Sequence, residues 1–118
     1  MTDIAWIKAE LLRALTALAA DGDAALTDYP IGCARADELG IDYSHFLQCV
    51  VANCPDLFDR TQMQLLERID DMLDTMSGEG NSELWADEAV RSSDEWRQVR
   101  SRAQAALPVV GSLLRQPS

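Results

Sequence analysis

The sequence predicts an all-α fold, an irregular antiparallel bundle of five to six helices in a single domain. Three observations carry that expectation. Apolar residues recur at helical spacing in three long segments. Glycine, proline and side-chain capping signals punctuate the chain between them, and no run of useful length alternates apolar and polar residues as a half-buried strand would. Short connections favour antiparallel neighbours. A chain of 118 residues, 47% apolar and 25% charged, has the composition of a globular domain. At this size folding buries about two-thirds of the surface of the unfolded chain, enough for a core without metal or disulfide staples.

Each element follows from local chemistry. In residues 3–20, Ile4, Ile7, Leu11, Leu15 and Leu18 share one face, giving an amphipathic helix. Asp21 and Gly22 are expected to end it, with the glycine in a left-handed turn. The next ten residues, through Tyr29, Pro30 and Gly32, read as a loop, because proline and glycine interrupt any period. A short turn of helix over residues 34–39 closes at Gly40. Asp42 then caps a helix over residues 43–53, and Cys54 with Pro55 stops it. Thr61 and Gln64 have capping-box spacing, and Leu65, Leu66, Ile69, Met72, Leu73 and Met76 follow along one face. Residues 77–81 form a flexible break before a short helix over 84–91. Ser92 and Glu95 make a second capping box ahead of a helix carrying Trp96, Val99, Ala103 and Leu107 on one side. Pro108 is expected to end or kink it, leaving residues 109–118 as a loosely packed tail with one further turn around Leu113 and Leu114.

The charge is the most unusual property. The formal net charge is -10, and it is unevenly placed. Residues 21–90 carry sixteen acids against Arg35, Arg60 and Arg68, whereas residues 91–118 carry five arginines against Asp94 and Glu95. Such a field repels nucleic acid and anionic lipid and speeds encounter with a basic partner. Phosphate binding needs a basic stripe, and the only candidate, residues 91–102, is short and interleaved with acids. Neither a basic leader ahead of an apolar run nor a stretch of about eighteen apolar residues occurs, so neither export nor membrane insertion is expected. Three cysteines, an odd number, fit a reducing cytoplasm. Arginine supplies nine of the ten bases, a bias in keeping with a GC-rich bacterial genome.

No catalytic residue, metal site or cofactor is predicted. Glu67, Asp70, Asp71 and Asp74 stand at i, i+3, i+4 and i+7, a carboxylate stripe opposite the apolar face of its helix. A solvated stripe lacks the desolvated cleft that raises a carboxyl pKa for acid catalysis; it reads as a solubilising helix surface or, alternatively, as a docking surface for basic side chains. Asp21, Gly22 and Asp23 lack the rest of a calcium loop. Cys33, His45, Cys49 and Cys54 do not show the paired spacing of structural zinc sites, and only His45 and Cys49 share a helix face. That helix is apolar nearly all round, so the histidine and the thiols are expected in the core. The strand-turn-helix serine motif is missing, so nothing in the sequence supports a serine triad, and no glycine-rich phosphate loop is present.

Two tryptophans are candidate contact residues. Trp96 falls on the apolar side of its helix, but Trp6 lies opposite the apolar face of its own, and Trp85 sits in the acidic segment 83–88. Aromatic anchors ringed by charge are the usual make-up of binding hot spots. The run Ile41, Asp42, Tyr43, Ser44, His45, Phe46, Leu47 and Gln48 resembles the opening helix of the acidic immunity proteins that neutralise bacterial nuclease toxins. Those proteins use a Tyr-Tyr-Pro turn to bind toxin, whereas here a lone Tyr29 and Pro30 lie upstream, so no residue role carries over. The resemblance implies a similarity of type: small, cytoplasmic, acidic, helical and without catalytic residues. The expected function is therefore non-enzymatic binding of a basic protein partner, such as a toxin domain, through Glu67, Asp70, Asp71, Asp74, Trp6 and Trp85. The alternatives are a structural or self-associating domain, monomer or weak homodimer, dimerising through Trp6, and a thiol or metal sensor using His45, Cys49 and one further cysteine.

Overall fold

The computed structural model describes residues 3–27, 29–30 and 34–116. Among them every regular element is helical: α1 (Ile4–Ala19), α2 (Gly22–Leu26), α3 (Arg35–Asn53), α4 (Arg60–Met76), a 3-10 helix (Glu79–Trp85), α5 (Asp87–Ser92) and α6 (Asp94–Arg115). Seven helical segments thus stand where five to six were expected.

Helix α1 is the central element, packed against both α3 and α6. Its face of Ile7, Leu11, Leu15 and Leu18 is buried, as the periodicity predicts, and Asp3 caps it by accepting from the Trp6 amide at 3.0 Å. The helix ends close to where it was expected, but not through a left-handed glycine. Gly22 begins α2 instead, behind the N-cap Asp21, and the only positive φ among described residues is at Gly78. Glycine is needed at 22 for space: a Cβ there would stand 2.6 Å from Cα of Arg91 and 2.9 Å from the Val90 carbonyl oxygen. A helix of five residues is too short to show a period, which is why the segment reads as a loop.

Helix α3 is continuous where the sequence suggests a stop at Gly40 and a new start at Asp42. A mid-helix glycine costs about 1 kcal/mol relative to alanine. Burial of Leu39, Tyr43, Leu47 and Val50 on the same helix exceeds that cost, and the indole of Trp85 occupies the room a side chain would take, its Cζ3 3.0 Å from a Cβ placed there. Tyr43 is fully buried, and its hydroxyl donates to the Leu66 carbonyl of α4 at 2.7 Å.

Helix α4 starts one residue earlier than Thr61 because the capping box is Asp59 with Gln62, both of its bonds at 2.8 Å. The expected flexible break after α4 is instead a 3-10 helix held by two indoles. Trp85 Nε1 donates to the Met76 carbonyl at 2.9 Å, satisfying the end of α4, and Trp96 Nε1 donates to the Leu84 carbonyl at 2.6 Å. The two rings meet edge to face at 5.4 Å. Ser93, not Ser92, caps α6.

Pro108 does not end α6, which continues to Arg115 and buries Val110 and Leu114 against the core. The proline is on the exposed side, where its ring meets solvent. Reciprocal side-chain caps fasten α6 to α1. Arg100 Nε and Gln104 Nε2 donate to the carbonyls of Ala20 and Ala19, each at 3.0 Å, and Lys8 Nζ donates to the Gln116 carbonyl at 2.9 Å. The two helices therefore run in opposite directions. Among the described residues, no helix is long and apolar enough to cross a membrane.

Candidate functional site

The basic side chains are largely engaged within the fold. Arg13 reaches Glu10 at 2.8 Å and Asp42 at 3.0 Å, and Tyr29 donates to the same Asp42 oxygen at 2.7 Å. Arg35 pairs with Asp87, Arg91 with Asp23, and Arg97 with Asp94. Arg100 bridges the Ala20 and Val90 carbonyls, and Lys8, only 5% exposed, is committed to the end of α6. By contrast, no described base comes within ion-pair distance of Asp37, Glu67, Asp70, Asp71 or Asp74.

Four of these five acids line one groove. It lies between α3 and α4, has a volume of about 790 Å³, and is closed at one end by the segment from Ser77 to Trp85. Its α3 wall is Asp37, Ile41, Ser44 and Gln48, at i, i+4, i+7 and i+11 of a continuous helix. Its α4 wall carries Asp70, Asp71 and Asp74, and no basic side chain lines it. Ile41 is 58% exposed, an apolar side chain of that size held out beside carboxylates. Four like charges around a concave surface focus a negative potential into it. The same field acts inward: burial pushes the Tyr43 phenol well above its ordinary value, and the Asp70 charge adds to the shift.

A second groove, of about 770 Å³, lies between α4 and α6. Its lining includes the apolar Leu65, Met72, Met76 and Ala105, but Glu67, Asp71 and Glu95 share it with Arg68 and Arg102, so its charges are mixed. The carboxylate stripe read from the sequence is therefore divided. Asp70 and Asp74 face the first groove, Glu67 the second, and Asp71 borders both.

Of the tryptophans, Trp85 forms part of the first groove, half-buried with its nitrogen already bonded, and Trp6 lines neither. Trp6 is 54% exposed and stands edge-on to Phe46 of α3 at 5.5 Å. Trp96 is buried, as expected. Reading α3 as broken at Gly40 hides two residues that matter, Asp37 and Ile41. An unbroken helix puts both on the face of Ser44, so the signal is the continued period through the glycine.

The expectation of a core histidine beside a core thiol needs correction. His45 is exposed and Cys49 and Cys54 are only partly covered, because the buried face of α3 is set by Tyr43, Phe46, Leu47 and Val50, which leaves 45 and 49 on the rim. Nε2 of His45 and Sγ of Cys49 stand 3.6 Å apart, so the two do share a face. Cys33 lies outside the described residues. Among those described, no three histidine, cysteine or carboxylate side chains gather as a metal site would require. Comparison with protein-family models, with curated proteins and with solved structures finds no match.

Proposed function

We propose that this chain is a small non-enzymatic binding protein that masks a basic surface of another protein, most concretely as a bacterial immunity protein neutralising a toxin domain in the cytoplasm. The observation that carries the reading is the groove between α3 and α4, lined by four aspartates and no base, in a molecule whose arginines are mostly occupied elsewhere. A partner's lysines or arginines would meet Asp37, Asp70, Asp71 and Asp74, while Ile41 and the edge of Trp85 supply apolar contact. Exposed ion pairs contribute about 0.2–1 kcal/mol each and chiefly speed association, so Ile41 is the candidate for the energetic centre.

The test compares wild type with an Asp37→Asn, Asp70→Asn, Asp74→Asn variant as immobilised bait in lysate of the source cell, at low and high salt. The reading expects a basic protein held by wild type at low salt, released by salt, and lost with the triple variant while its far-ultraviolet circular dichroism is unchanged. Equal capture by both baits would refute it. A second reading, a self-associating domain, draws on the exposure of Trp6, and concentration-dependent sedimentation of wild type against Trp6→Ala checks it.

A further inference from the structure

We propose that His45 and Cys49 form half of a tetrahedral site for a thiophilic divalent ion of the zinc type, and that a second copy of this chain supplies the other half. The inference is independent of the groove, which neither residue lines. It begins with a distance. Zinc bonds of about 2.3 Å to sulfur and about 2.0–2.1 Å to imidazole nitrogen, at a tetrahedral angle of about 109°, require the two ligand atoms to stand about 3.5–3.6 Å apart. Nε2 of His45 and Sγ of Cys49 are 3.6 Å apart. The spacing is held by the backbone, because both residues sit one turn apart in the interior of a helix of nineteen residues. His45 is at the surface, so an ion reaches the pair without unfolding anything.

Ligand count then dictates the partner. The described part of one chain offers no third ligand, and a closed structural zinc site takes four. Two copies related by a two-fold axis through the ion provide two nitrogens and two sulfurs, an isologous arrangement. Each thiol gives its proton to solvent as the sulfur coordinates, so two thiolates, two neutral imidazoles and the divalent ion sum to zero charge. The contact consequently buries no net charge, which matters for two chains that each carry a formal charge of -10. Near the ligands one apolar side chain is exposed for the contact: the His45 ring packs edge-on to the buried Phe46 at 4.9 Å, and Phe46 in turn meets Trp6, which is exposed.

Cobalt(II) tests this, because its spectrum reports geometry. Titrated into reduced protein, it is expected to give the intense visible bands of a tetrahedral ion with near-ultraviolet thiolate charge transfer, to saturate at one ion per two chains, to double the sedimenting mass, and to be displaced by zinc. Loss of an outer-shell partner already weakens a metal site about 10–100-fold, so Cys49→Ser and His45→Ala, each removing two direct ligands per ion, should weaken binding by about 100-fold or more. Cys33→Ser, Cys54→Ser and the triple aspartate variant should bind as wild type. Saturation at one ion per chain, a weak octahedral spectrum, or ion-dependent dimers that persist in Cys49→Ser would overturn the proposal. The groove reading has its own readout and stands or falls separately.

Discussion

Tyr29 and Tyr43 are the only tyrosines, and both are held neutral by the fold. Burial raises the Tyr43 phenol, helped by Asp70, and burial together with the bond to Asp42 raises Tyr29. Because the folded values lie above the ordinary value of about 10, their contribution to stability is complete below that pH and declines above it, as the unfolded chain ionises first. Near-ultraviolet phenolate absorbance should therefore stay almost silent at about pH 11 while circular dichroism remains native, then rise for both phenols together as the chain unfolds. A phenolate signal from both tyrosines preceding unfolding would contradict the buried bond from Tyr43 to Leu66. Gly22 offers a steric test. Alanine there gains helix propensity of about 1 kcal/mol yet collides with the Arg91 backbone, so Gly22→Ala is expected to destabilise by about 1–3 kcal/mol in urea denaturation.

Helix α6 makes the corresponding argument for an element. Pro108 removes the bond that the Gln104 carbonyl would otherwise receive, and a proline inside a helix costs about 3 kcal/mol relative to alanine. The helix persists because Val99, Ala103, Ala106, Val110 and Leu114 are all buried along one face. Pro108→Ala should consequently raise the unfolding free energy by about 1–3 kcal/mol, measured by the denaturant midpoint at unchanged slope. The same contrast explains what the sequence discloses. Periodicity located α1, α4 and α6 because each spans several turns, and it assigned Trp96, Leu66 and Ile69 to the core correctly. It suggests a stop at Gly40 and an end at Pro108 where tertiary burial overrules residues poor in helix propensity, and it does not show α2, too short to repeat. The acidic face of α4 was legible from spacing alone. That Asp37 joins it from α3, and that Glu67 turns away toward α6, depends on how two helices pack, which one helix's sequence does not encode.

For the molecule as a whole, acids outnumber bases twenty to ten, and four acids that no described base pairs line the groove. Self-repulsion of that kind opposes the compact state, and the Debye length falls from about 30 Å to about 3 Å between 0.01 M and 1 M salt. Screening weakens the pairs Arg13 with Asp42 and Arg35 with Asp87 as well, but repulsive pairs are more numerous. Sodium chloride should therefore raise the thermal midpoint by about 2–5 °C, while weakening binding of the proposed basic partner. A fall in the midpoint with salt would mean that the internal ion pairs outweigh the repulsion.

The position of Lys8 bears on how a partner can be caught. It is the only lysine, and it is buried with its ammonium bonded to the Gln116 carbonyl. Amine-directed reagents thus find no exposed side-chain amine in this sequence, and cross-linkers that join lysine to lysine have no accessible lysine to react with on it. Carbodiimide coupling reverses the roles: every accessible carboxylate is activated, Asp37, Asp70, Asp71 and Asp74 of the groove among them, and a lysine of the proposed partner seated there would be joined to them directly.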